Sequence, residues 1–75
     1  MRGLRVQVNG EAREVPEGTT LQGLVELLAL APERLAVEVN LEVVRRPDWP
    51  GVKLSEGDRV EIVHFVGGGD SVADY

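Results

Sequence analysis

The residues best placed to do chemistry lie near the end of the chain, in "VEIVHFVGGGDSVADY". An apolar, strand-like run enters three consecutive glycines, Gly67, Gly68 and Gly69, and further residues follow. Glycines carry no side chain, so their backbone can pass through a narrow channel and approach a catalytic centre closely. If such a run ended in a free carboxylate, the domain's reactive group would be its own C-terminus. A partner enzyme could activate that carboxylate with ATP and exchange it for a thiocarboxylate. The plainer alternative is a flexible linker leading into a disordered tail. Both readings stand on the glycines alone.

No other group competes as a reaction centre. His64 is the sole histidine and has no acid, base or metal partner near it in sequence, so a structural role is expected. No phosphate loop, nucleophile elbow or pair of catalytic carboxylates is present. Gly67–Gly69 leave no room for the helix that a phosphate fingerprint requires. Asp70-Ser71-Val72 looks like the Asp-Ser-Leu attachment site of acyl carriers, but that site opens a helix in a helical bundle, so the match is taken as chance. The chain contains no cysteine, which excludes disulfides, thiolate-held zinc or iron–sulfur clusters, and thiol catalysis. The domain is therefore expected not to be an enzyme.

Composition narrows the partners. Thirteen acidic and eight basic residues give a net charge of −5. Phosphate contacts need clustered Lys and Arg, so nucleic acid is a poor partner. No apolar run approaches a membrane span and no signal-peptide core opens the chain. With no disulfides in 75 residues, the cytoplasm is the expected compartment.

The elements that must position the glycines can be read in order. "LRVQV" alternates, with Leu4, Val6 and Val8 on one face. Asn9-Gly10 is a strong hairpin signal, because both central positions of the favoured turn need positive φ. The returning "EAREV" puts Val15 opposite Leu4 and Glu14 opposite Arg5. Its Arg13 and Glu11 then face Val6 and Val8, which suits a charged edge strand. Thr19 and Gln22 have capping-box spacing. Leu21, Leu24, Val25 and Leu28 follow at helical spacing for about three turns, ended by Pro32. "RLAVEVN" is a second alternating strand. Asn40-Leu41 sits where a turn should fall, and Val43 and Val44 begin a short strand. "RRPDWPG" is irregular, with Trp49 expected as a core plug. "SEGD" turns into the last strand, "RVEIVHFV". Val60, Ile62 and His64 share one of its faces and Glu61, Val63 and Phe65 the other. Apolar residues on both faces predict a central strand, or a central strand with one face kept for a partner. The predicted order is ββαββ, an α+β domain of one mixed sheet covered on one face by one helix. It spans residues 1–66, and residues 67–75 form a flexible Gly-rich tail with a C-terminal extension.

"AVEVNLEVV", a Trp in an irregular segment, and "LSEGDRVEIVHFVGGG" together closely resemble the ThiS family of sulfur carriers in thiamine biosynthesis. The resemblance covers residues 4–69, and its C-terminal block is the specific part. It implies the ubiquitin-like β-grasp fold. It also implies a protein co-substrate that binds no cofactor. A ThiF-like adenylating enzyme would activate the terminal glycine carboxylate with ATP and magnesium. A cysteine desulfurase or rhodanese-type protein would supply sulfur, and the thiazole synthase ThiG would accept it. On this chain Gly69 would carry the sulfur, Gly67 and Gly68 would thread the partner's channel, and Val63 and Phe65 would dock. The same chemistry could instead serve molybdopterin synthesis or tRNA thiolation, and a non-catalytic β-grasp interaction domain is the reading of a different class.

The chain departs from the family twice. Asn40-Leu41 stands where Asn-Gly is common, and Leu41 cannot take positive φ cheaply. More importantly, "DSVADY" follows the glycines, so Gly69 has no free carboxylate in this sequence. A protease that removes residues 70–75 would restore one, and a processed precursor is the preferred reading over an inactive relative.

Overall fold

The computed structural model describes residues 3–66 and 71–74. Its strands are β1 (Gly3–Val8), β2 (Glu11–Pro16), β3 (Leu35–Val39), β4 (Glu42–Val44), β5 (Arg59–Val66) and β6 (Ser71–Asp74), with one helix, α1 (Leu21–Leu27), between β2 and β3. The sheet order is β2-β1-β5-β3-β4, and β6 pairs with β5. β1 and β5 run parallel while the other pairs run antiparallel, so the sheet is mixed and β5 is central.

The first hairpin follows the register predicted from its loop length. Leu4 lies opposite Val15, Arg5 opposite Glu14, Val6 opposite Arg13 and Val8 opposite Glu11. β2 is an edge strand, and its exposed charges Glu11, Arg13 and Glu14 discourage further pairing.

The helix departs from the predicted one at both ends. Its cap is Thr20, not Thr19, and the Thr20 hydroxyl accepts the Gly23 amide at 3.0 Å. The reason lies in a neighbouring segment. Leu54 N–H donates to the Thr19 carbonyl at 3.0 Å, Leu21 N–H donates to Val52 at 2.8 Å, and Thr20 bridges Lys53. These bonds hold 19–20 extended, so the helix starts one residue later, and Thr19 donates its hydroxyl to the Pro16 carbonyl instead. At the other end the helix stops well before Pro32. The Leu30 amide returns to the Val25 carbonyl at 3.3 Å and the Ala29 amide to Glu26 at 3.0 Å, the Schellman pattern, with Ala29 at φ 58°. Pro32 opens a short 3₁₀ turn, Pro32–Arg34. Seven helical residues are too few to be stable alone. Burial of Leu21, Leu24 and Val25 stabilises them, at about 1.5–3 kcal/mol per fully buried side chain.

One core lies between α1 and the sheet face that carries Val6, Val8, Val37, Val60 and Ile62. Trp49 fills its end as expected, 1% exposed, from a 3₁₀ turn spanning Arg46–Gly51. Its indole N–H donates to the Val44 carbonyl at 2.9 Å, which satisfies the ring's polar edge inside the core. Among the described residues no helix is long and apolar enough to cross a membrane.

Candidate functional site

β5 leads directly to the glycines, so what fixes β5 fixes where they start. Its core face buries Val60 and Ile62, each 1% exposed, with His64 half-buried on the same side. Along one edge β3 pairs with it from Val60 to His64. Along the other, β1 reaches only Val8, opposite Val60.

Beyond Val60 that second edge is taken over by a side chain. Asn9, in the turn between β1 and β2, donates its Nδ2 to the Ile62 carbonyl at 3.1 Å and accepts the Ile62 amide on Oδ1 at 2.8 Å. The carboxamide stands in for one residue of a missing strand. Sequence reasoning found Asn9 only as a turn residue. Turn chemistry explains its positive φ, but nothing local in sequence pairs it with a residue 53 positions away. On the β3 edge Asn40 does a related job. Arg59 N–H donates to its Oδ1 at 3.0 Å, and its Nδ2 donates to Asp58 Oδ1 at 3.0 Å.

The proposed docking residues Val63 and Phe65 share the outer face of β5, away from α1. Val63 is half-buried beside Ala36 of β3, and Phe65 is 39% exposed. The outer face also shows Val43, 71% exposed, on β4. Gly67, Gly68 and Gly69, the residues expected to thread and to carry sulfur, lie outside the described residues. Of the tail that the sequence assigns to 67–75, only Ser71–Asp74 lie among the described residues, and they pair with Val63–Val66 as β6. The run Ser-Val-Ala-Asp is too short to announce a strand by periodicity, and it pairs because β5 has an open edge there. Among the described residues, no group of three or more His, Cys, Asp or Glu could hold a metal ion.

A central parallel pair, one covering helix and a central strand, β5, running into a glycine stretch define a ubiquitin-like β-grasp domain. Comparison with known proteins sharpens this. The ThiS family model matches residues 6–69. The chain is 37% identical over 65 residues to the sulfur carrier protein ThiS of Bacillus subtilis, covering 85% of this chain and 98% of the relative. It matches a crystal structure of the thiamine biosynthesis protein ThiS from Geobacter metallireducens with TM-score 0.76 and 33% identity, covering 88% of this chain and all of that one. It is also 47% identical over 66 residues to a thiazole synthase of Magnetococcus marinus, covering 88% of this chain but only 20% of the relative. The chain thus spans about a fifth of that synthase's length. The chain belongs to the ThiS family.

Proposed function

We propose that this domain is a sulfur carrier for the thiazole of thiamine, a protein co-substrate and not an enzyme. Cleavage after Gly69 removes residues 70–75 and leaves a glycine carboxylate. A ThiF-like enzyme, using ATP and magnesium, joins that carboxylate to AMP and releases pyrophosphate. A persulfide on a cysteine desulfurase or rhodanese-type protein then displaces AMP to give an acyl disulfide. A second thiol, acting as the two-electron reductant, cleaves its S–S bond, leaving a thiocarboxylate on Gly69 and a disulfide on the donor side. The carrier itself contributes position. Strand β5, pinned at Ile62 and Arg59 on opposite edges, holds the base of the tail, while Gly67 and Gly68 enter the partner. Val63 and Phe65 dock. All of these steps belong in the cytoplasm.

The observation that carries this reading is the end of the family match at Gly69, directly after the central strand. The thiazole synthase of Magnetococcus marinus favours ThiG as the acceptor over molybdopterin synthesis or tRNA thiolation, since there a similar segment shares a chain with the synthase. The test is the intact mass of the protein from its native cells. A species ending at Gly69, with a companion heavier by one oxygen-to-sulfur exchange, is expected. A single species still carrying Asp70 and the residues after it would remove the mechanism.

A further inference from the structure

β6 fills the last stretch of β5 edge that β1 and Asn9 leave open. β3 already occupies one side of β5 at Val63 and His64, so β6 lies on the other. Backbone alternation tells which groups it meets. The Val60 carbonyl accepts from Asn9 N–H, and both polar groups of Ile62 bond the Asn9 side chain. These residues therefore point toward the β1 edge, as do His64 and Val66 two and four positions further on. The residues opposite them are Ala73 and Ser71.

We propose that β6 is an intramolecular cover that competes with presentation of the glycines to a partner. The proposal rests on the carrier reading above. Val66 pairs with Ser71, and directly opposed residues in a ladder sit about 4.5–5.5 Å apart. The same span drawn out as an extended tail covers roughly 17 Å. The two arrangements exclude each other, so a partner that needs 67–69 extended must first strip β6 from β5. A chain whose Gly69 is still in peptide linkage cannot be adenylated, and a docked one would only block the partner. β6 keeps such a chain out of the partner, and cleavage after Gly69 removes the cover together with the block. Pairing over four residues is marginal by itself, which suits a contact that must open.

Proline substitution in the 75-residue chain separates this from a passive tail. Ala73 directs its amide to His64, so Ala73→Pro deletes a ladder donor. Val72 lies opposite Phe65 and directs its amide away from β5, so Val72→Pro leaves the ladder donors in place. By NMR amide exchange, His64 and Val66 should be protected on the order of tenfold in the parent and in Val72→Pro, and unprotected in Ala73→Pro. Affinity for an ATP-dependent adenylating enzyme of the ThiF type should rise by the same factor, about tenfold, in Ala73→Pro alone. Unprotected His64 and Val66 amides in the parent, or equal affinities for parent and Ala73→Pro, would overturn the proposal. Failure of a chain ending at Gly69 to be adenylated would sink the carrier reading and this role with it, while the exchange data would still report whether β6 forms.

Discussion

Two asparagine turns flank the strand that leads to the glycines, and they are built differently. Asn9-Gly10 closes the β1–β2 hairpin with φ values of 51° and 86°. Asn40-Leu41 closes the β3–β4 hairpin with 53° and 71°. Both are two-residue turns with positive φ at each central position, the pattern whose twist matches paired strands. Both asparagines turn their carboxamides onto β5 or its entry. Gly10 adopts its φ at no steric cost, whereas Leu41 must hold a branched side chain in the left-handed region. Backbone geometry in the second turn is thus imposed by strand pairing and by the Asn40 bonds, against the preference of the residue. A short hairpin can dictate φ to a residue that resists it, provided neighbouring elements hold both ends.

The largest contrast should lie between the two carboxamides. Asn9→Gly keeps a residue that accepts positive φ but deletes the clamp, leaving the amide and carbonyl of Ile62 without their partner near the core. A loss of about 2 kcal/mol in unfolding free energy is expected from urea titration, at roughly 1 kcal/mol for each bond. Asn40→Gly removes two bonds in an exposed setting, where water replaces them, so about 1 kcal/mol is expected. Equal losses at the two sites would break the comparison and show that the partial burial of the Asn9 bonds is immaterial. Between these falls Gly10→Leu, which places in the first turn the conflict that the second already contains. It should cost about 1–2 kcal/mol, the usual expense of a left-handed non-glycine residue. A neutral result would mean that hairpin twist alone accommodates leucine.

The parts legible in the sequence were those set by local pattern. Alternation and loop length determine the β1–β2 register down to Arg13 opposite Val6, and two-faced apolarity marks β5 as central. What escaped depended on distant partners. The Thr20 cap is decided by bonds from Val52, Lys53 and Leu54. The early helix end at Ala29 uses a residue with no special preference for positive φ. The Asn9 clamp and β6 both answer to an edge of β5 that exists only once the sheet is assembled. Within the candidate site, the strand and its outward residues Val63 and Phe65 could be read from two-residue periodicity. The groups that hold the strand in place could not, because their bonds join residues far apart in the chain.

The smallest expected effect sharpens the comparison most directly. Leu41 is 78% exposed, so replacing it sacrifices almost no buried area. Leu41→Gly relieves the left-handed strain but also gives the unfolded chain more freedom, and these two terms oppose each other. The strain is about 1–2 kcal/mol, as for Gly10→Leu, and the added backbone freedom about 0.4–1 kcal/mol, so a net gain of up to about 1.5 kcal/mol, centred near ~0.8 kcal/mol, is expected. Leu41→Asn tolerates the same φ without the full entropy penalty and should gain at least as much. Differential scanning calorimetry can resolve such gains, since about 1 kcal/mol moves Tm by roughly 4–8 °C in a domain of this size. If both variants melt lower than the parent, Leu41 makes a stabilising contact that offsets its backbone strain, and the two turns are alike in energy despite their different residues.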